Sequence, residues 1–197
     1  GDHRDLHSFP TRRSSDLVVR YDATVGARAI TIAYSFLPDS YRVNVSASVQ
    51  GAPENSFLLI DMPPGFRSSE SDTTEDQSHL AYAYKLDQQN AKGVAFRSLD
   101  PGERRIEAGP INWTVAKNKY FLMGVLAPPG VPGFAEVNFT GGVRVAKAAT
   151  RSEATIVASL KSGVVAFEMY AGPQEFKRLV AIGRAFETSN PYGGWLQ

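Results

Sequence analysis

The chain has 197 residues and is close to neutral, with 21 Lys and Arg against 20 Asp and Glu. A hydrophobic fraction of 43% and a charged fraction of 21% are typical of a globular protein, and this length suits one domain with a sizeable core. A net charge of +1 provides no field that would attract nucleic acid, so we expect no nucleic-acid partner. The absence of cysteine excludes disulfides, thiolate metal sites and a cysteine nucleophile.

The first 17 residues differ in composition from the rest, because they hold two of the three histidines, charges of both signs and no apolar period. They predict a disordered tail. The string HSFPTRRSSDL within them resembles a translated sequencing adapter, so we interpret residues 1–17 as non-native and residues 18–197 as the domain. The alternative is a basic targeting arm, but a signal peptide needs an apolar stretch of about 7 to 15 residues, which is missing.

Beyond the tail, apolar residues alternate with small or polar ones, which is the pattern of strands with one buried face. Residues 28–37 and 41–50 both alternate, and the turn residues between them predict an antiparallel hairpin. The further strand candidates are 57–62, 80–86, 94–97, 111–126 with a break, 134–139, 143–145, 154–160 and 164–170. Turn signals about every 10 residues predict a sandwich or a barrel.

One segment near the end has a helical period. Pro173 can occupy the first helical position, and Phe176, Leu179 and Val180 then follow at helical offsets, so we expect one amphipathic helix over residues 173–186. Residues 67–78 are rich in Ser, Thr and acids without an apolar period, and they predict a loop. The most apolar stretch, residues 120–127, is too short to cross a bilayer.

Sequence motifs for catalysis and metal binding are missing. The only histidine outside the tail is His79, which we expect on the surface, because no nucleophile elbow or second ligand accompanies it. The acids of the polar loop lack the spacing of a calcium loop, and the glycine motifs of nucleotide sites are absent; those acids are Glu70, Asp72, Glu75 and Asp76. The sequence therefore predicts no catalytic residue, no metal and no cofactor.

Seven aromatic residues could form a platform for sugar stacking, although their strand periods favour core packing. They are Trp113, Tyr120, Phe121, Phe134, Phe139, Phe167 and Tyr170. A sugar-processing site would need two opposed carboxylates, for which Asp61, Glu103, Glu107, Glu136 and Glu168 are candidates by residue type alone. A secreted sandwich that binds or processes carbohydrate, and a purely structural surface module, thus stay open as alternatives.

Several motifs follow one another along the chain, and their order and spacing are more specific evidence for a family resemblance than any single motif. The first motif, in residues 30–49, has Tyr41 after a strand and a turn. The second, in residues 111–121, has Trp113 followed by the pair Tyr120 and Phe121. In the third, residues 167–179, the run Tyr170-Ala171-Gly172-Pro173 connects a strand to a helix. Together with residues 190–196, these segments resemble the periplasmic domain of the YidC family of membrane protein insertases, which precedes the second membrane span of those proteins.

The resemblance implies a mostly β fold, a large antiparallel β-sandwich related in shape to sugar-mutarotase domains, with the C-terminal amphipathic helix packed on it. It implies an inner-membrane protein whose domain over residues 18–197 lies in the periplasm and ends just before a missing membrane span. The shape does not carry the sugar chemistry. In the family the membrane-embedded part performs insertion, so this domain would not act as an enzyme or insert proteins by itself.

The resemblance further implies docking and structural coupling. The expected partners are the membrane-embedded remainder of the same protein, the Sec translocon and SecDF, with nascent membrane proteins meeting the missing part. The residues expected to couple the domain to the membrane part are Phe176, Lys177, Leu179, Val180 and Ile182. The alternative is that this stripe only covers the sandwich core, above all at Phe176 and Leu179.

Overall fold

The alternating segments form strands in a computed structural model, which describes residues 17–38, 40–67, 73–145 and 148–190. The strands are β1 (Leu17–Val25), β2 (Arg28–Phe36), β3 (Arg42–Val49), β4 (Phe57–Asp61), β5 (Ala81–Leu86), β6 (Lys92–Ala95), β7 (Arg104–Lys117), β8 (Phe121–Leu126), β9 (Phe134–Gly141), β10 (Ser152–Ser159) and β11 (Val164–Pro173). The α-helices are α1 (Thr73–Ser78) and α2 (Phe176–Ile182), and 3-10 helices cover Phe96–Ser98 and Phe186–Ser189.

These strands form one antiparallel sheet in the order β1-β2-β3-β11-β8-β7-β9-β10-β4, with β5 paired to β7 and β6 paired to β5. The long strand β7 joins two wings of the sheet. Its first half pairs with β9, which leads to β10 and β4 and forms one wing. Its second half pairs with β5 and with β8, and β8 leads to β11, β3, β2 and β1, which form the other wing. Side chains from β2, β3 and β11 share one buried cluster with side chains from β4, β9 and β10. The wings therefore pack face to face, and the mostly β, antiparallel sandwich is confirmed.

The main core lies between the wings and is rich in aromatic rings. The ring of Tyr82 lies 4.8 Å from that of Phe96 and 5.5 Å from that of Phe139, centroid to centroid. The Tyr82 hydroxyl donates to the carbonyl of Ser152 at 2.7 Å, which satisfies its polar end inside the core. Burial, followed by the charge of Glu153, raises the pKa of Tyr82 well above its ordinary value.

A second, smaller core lies on the outer face of the central strands. It combines Trp113 of β7, Leu126 of β8 and Tyr170 of β11 with Leu179 of α2 and Phe186 of the following 3-10 helix. The α-helix thus covers the sandwich from outside and adds a third layer at this point. No helix in the described part of the chain is both long and apolar enough to cross a membrane.

The predicted hairpin is confirmed as β2 and β3, which pair from Ile30 with Val49 to Phe36 with Val43. The strand candidates 57–62, 80–86, 134–139, 154–160 and 164–170 are also confirmed with shifted ends. The candidate 94–97 is displaced to residues 92–95, and strand β7 begins at residue 104 instead of 111. Residues 143–145 do not form a strand, because Val145 makes only an isolated bridge with Ala148.

Two further expectations are wrong. The helix over residues 173–186 is shorter, because Pro173 still pairs with Phe121 in the sheet and because α2 ends at Gly183, whose positive φ of 77° favours glycine. Residues 73–78 form α1 within the segment expected to be a loop. Strand β1 begins at Leu17, the last residue of the predicted tail, and residues 1–16 lie outside the described part of the chain.

Candidate functional site around the C-terminal helix

The chain reaches α2 through a set of hydrogen bonds at the end of β11. The Tyr170 hydroxyl donates to the carbonyl of Pro173 at 2.7 Å. The next residue, Gln174, donates its backbone N–H to Tyr120 O at 2.8 Å and its side-chain amide to Asn118 O at 2.6 Å. These bonds fix the direction in which α2 leaves the sheet.

The inner face of α2 is anchored in the second core. Leu179 is 2% exposed there, and Phe186 places its ring edge-on to Trp113 at 5.5 Å and to Tyr170 at 5.8 Å. Gly124 makes room for this arrangement, because a Cβ at that position would lie 2.7 Å from the Phe186 ring. Close-packed contacts of this kind hold the helix in one position on the sandwich.

A buried ionic network ties the turn after α2 to the sheet. Arg184 adopts the left-handed conformation, with φ 60°, and its guanidinium lies 2.6 Å from the Glu168 carboxylate and 2.8 Å from the carbonyl of Ala127. Arg42 of β3 pairs with the same carboxylate. In return, the Trp113 indole N–H donates to the backbone carbonyl of Arg184 at 3.0 Å. The turn therefore contacts β7 through Trp113 and β11 through Glu168, and Glu168 also links it to Arg42 of β3.

The outer face of α2 is exposed. Phe176 is 55% and Val180 46% exposed, and Lys177 between them is exposed as well. The five expected coupling residues thus divide between the two faces, since Leu179 and Ile182 contact the second core. Covering the core accounts for Leu179, whereas Phe176 faces outward.

An open groove of about 530 Å³ lies between the segment that follows β4 and the paired strands β8 and β11. Tyr41, Tyr120, Phe121 and Gly172 all line it, so the structure brings four of the family-motif residues together. Gly172 allows the Tyr41 ring to approach, because a Cβ there would lie 2.6 Å from that ring. The other motif residues lie elsewhere: Trp113 and Tyr170 in the second core, and Pro173 at the end of β11.

The expectation that the aromatic residues pack in the core is correct for five of them and wrong for two. The five buried rings are those of Trp113, Phe134, Phe139, Phe167 and Tyr170. Tyr120 and Phe121 are 44% and 52% exposed at the groove. Tyr120 ends the tight turn at residues 118–120 and Phe121 begins β8, and Asn118 Oδ1 accepts from both of their backbone N–H groups.

Comparison with known families decides the assignment. The model of the YidC periplasmic domain matches residues 7–197 of this chain. The chain belongs to the YidC periplasmic domain family. The match begins inside the segment that we interpret as non-native, and because residues 1–16 lie outside the described part, that interpretation stays a prediction.

Three curated relatives illustrate the similarity, and each is named a membrane protein insertase YidC. The protein of Porphyromonas gingivalis is 24% identical over 96% of this chain and 31% of its own length. The protein of Nitrosomonas eutropha is 27% identical over 88% of the chain and 28% of its own length, and that of Chlorobium phaeovibrioides is 28% identical over 97% and 33%. The chain therefore spans about a third of the length of these relatives.

The residues considered for enzymatic chemistry occupy separate places in this YidC periplasmic domain. His79 is exposed, as expected, and the described residues contain no group of three potential metal ligands. Four of the candidate carboxylates have their own local partners. Glu168 contacts Arg42 and Arg184, Asp61 accepts from Thr155, Glu103 accepts from Arg105, and Glu136 accepts from Asn138.

Sequence reasoning missed Lys117, the last residue of β7. Its side chain is 6% exposed, and its ammonium donates to the side-chain oxygen of Asn190 at 3.3 Å. Burial lowers the pKa of Lys117 to about 8. A buried lysine at the end of an alternating strand was not recognisable, because its environment depends on a residue 73 positions later.

Proposed function

We propose that this chain serves as the periplasmic domain of an inner-membrane protein insertase, where it acts in docking and structural coupling and has no catalytic role. The observation that carries the proposal is the division of α2 into two faces. Leu179 fixes the inner face to the sandwich, while Phe176 and Val180 leave an apolar outer face uncovered. A helix that is rigidly held and apolar on its outer side is suited to contact another structured element.

The outer face also carries Lys177, so a matching partner would offer apolar surface with an acceptor or a carboxylate. The membrane-embedded remainder of the same protein is the first candidate, because α2 lies at the C-terminal side of the domain. The Sec translocon and SecDF are the further candidates. Nascent membrane proteins would meet the membrane-embedded part and not this domain.

The test uses the full-length insertase in cells depleted of the native protein. Phe176→Ser combined with Val180→Ser should lower growth and membrane insertion of a reporter protein, while the unfolding midpoint of the isolated chain stays unchanged. The matched control is Phe57→Ser combined with Leu59→Ser on β4, which removes comparably exposed apolar side chains far from α2 in the strand order. Normal growth with the α2 variant would contradict the coupling role.

A photo-crosslinker at position 177 or 180 identifies the partner. Crosslinks to the remainder of the same protein would support internal coupling, and crosslinks to SecDF or the translocon would support docking. A crosslinker at position 59 should give neither product. Equal crosslinking from all three positions would contradict a specific interface on α2.

Carbohydrate binding stays as a second candidate, because the groove lined by Tyr41 and Gly172 exposes Tyr120 and Phe121 together with Arg67 and Asn118. Exposed rings next to polar groups are a common way to bind sugars. A glycan array probed with the wild-type chain and with Tyr120→Ala tests it. Binding that the variant loses would favour this candidate, and silence of the array would exclude it.

A further inference from the structure

A second cavity lies on the other side of Asn118, between the C-terminal end of α1, the end of β7 and residue 190. Its volume is about 390 Å³, within the range of small-ligand sites. The basic residues Arg97, Lys117 and Lys119 line it together with His79, and none of the described residues that line it is acidic. It is thus distinct from the aromatic groove and has a different chemistry.

The charge of this cavity is only partly balanced. Lys119 has a carboxylate partner, since its ammonium lies 2.9 Å from Glu75. Lys117 has one neutral acceptor, Asn190, although an ammonium can donate three hydrogen bonds. Within the described ranges, the Arg97 side chain has neither an ion pair nor a hydrogen bond. Arg97 and Lys117 therefore carry positive charge that no carboxylate balances within the described ranges.

Burying an ammonium group without a charged partner costs free energy, and folded proteins normally supply an anion or neutralise the lysine. Neutral donors are also available here. The oxygen of the Asn118 amide is occupied by two backbone N–H groups, so its NH₂ group is the end left for a ligand. A site of this composition favours a ligand with several acceptor oxygens and at least one negative charge.

We propose that the cavity lined by Arg97, Lys117 and Asn118 binds a phosphate group. Lys117 supplies the buried charge and Arg97 supplies the paired N–H donors at the entrance. The phosphate can belong to an anionic phospholipid headgroup or to a small soluble molecule. Both sources present the same oxygens, and they differ in whether the ligand comes with a membrane surface.

The first experiment titrates inorganic phosphate into the 197-residue chain at constant ionic strength and follows the amide signals of residues 117, 118 and 190 by NMR. We expect saturable shifts, and we expect Lys117→Met to weaken binding by about tenfold or more, since it removes a charged hydrogen-bond donor. Arg97→Gln should also weaken binding, and because this side chain is exposed, the variant keeps the test valid if Lys117→Met fails to fold.

The control is Lys161→Gln, which removes an exposed lysine that lines a different cavity. It should leave phosphate binding unchanged. A flotation assay then compares vesicles of phosphatidylcholine with vesicles that also contain phosphatidylglycerol. Binding to the anionic vesicles that Lys117→Met abolishes would assign the phosphate to a lipid headgroup. Phosphate binding without vesicle binding would assign it to a soluble molecule.

Two results would overturn the proposal. One is the absence of any saturable shift with phosphate together with equal binding to both kinds of vesicle. The other is an equal loss of binding in Lys161→Gln and Lys117→Met, because the attraction would then follow net charge and not this cavity. Neither result depends on the coupling role of α2, which Phe176 and Val180 test separately.

Discussion

Replacing Leu179 by alanine tests directly whether α2 is anchored to the sandwich. Leu179 is fully buried in the second core beside Phe186 and contributes the inner face of the helix. Truncating a buried leucine to alanine costs about 2 to 5 kcal/mol, depending on how far the cavity collapses. Because α2 is only 7 residues long and lies on the outside of the sheet, partial collapse is possible, and we expect a loss of about 3 kcal/mol.

Urea unfolding followed by tryptophan fluorescence measures this loss, since the Trp113 indole N–H donates to the carbonyl of Arg184 in the same core. With a slope of about 2 kcal/mol per molar urea, the midpoint should fall by about 1.5 M. Phe176→Ala is the control on the same helix, and its exposed side chain should change the free energy of unfolding by less than about 0.5 kcal/mol. If Leu179→Ala behaved like this control, the anchoring of α2 would be refuted.

Three further predictions concern the same region. Gly124→Ala should lower stability by about 1 to 3 kcal/mol, because its Cβ would meet the ring of Phe186; an unchanged thermal midpoint would contradict the tight contact. Glu168→Ala should cost about 3 kcal/mol in urea unfolding, because it leaves the buried guanidinium of Arg184 without its carboxylate, whereas Glu168→Gln should cost less. Burial lowers the pKa of Lys117 to about 8 from 10.5, so between these pH values the unfolded chain binds more protons and stability rises with pH. Lys117→Met should flatten this rise, and parallel curves of unfolding midpoint against pH would contradict the assignment.

The sequence predicted strands best where one face is buried and the other is open. Strand β3 alternates in this way around Val45 and Ala47, and the hairpin that it forms with β2 was placed correctly. Strand β1 was not recognised as a separate element, since nearly all of its side chains are exposed and its pattern has no buried face to mark it. The helix α1 was missed for a related reason, because its 6 residues are polar and carry no apolar stripe.

The second core could not be predicted from alternation. The end of β7 is buried on both faces, so residues 113–117 show no alternation in exposure. Which of these side chains face the main core and which face α2 depends on Phe186, which lies far along the chain. The motif around Trp113 therefore marked an important position, but the sequence alone did not show that its partner is the turn after α2.

The contacts of that turn bear on how α2 could transmit a docking event. A flexible tether would let a partner bind α2 without restricting the sandwich, whereas here Leu179 and Arg184 connect the helix to β7 and β11 by packing and by an ion pair with Glu168. Moving α2 would break the buried pair and open the second core at once, and both changes are unfavourable. A partner bound at Phe176 and Val180 would thus meet a surface whose orientation to the sheet is fixed. The proposed coupling therefore depends on the fixed orientation of α2 relative to the sheet. A variant that disrupts the contacts of Arg184 should weaken the coupling without altering the outer face of α2.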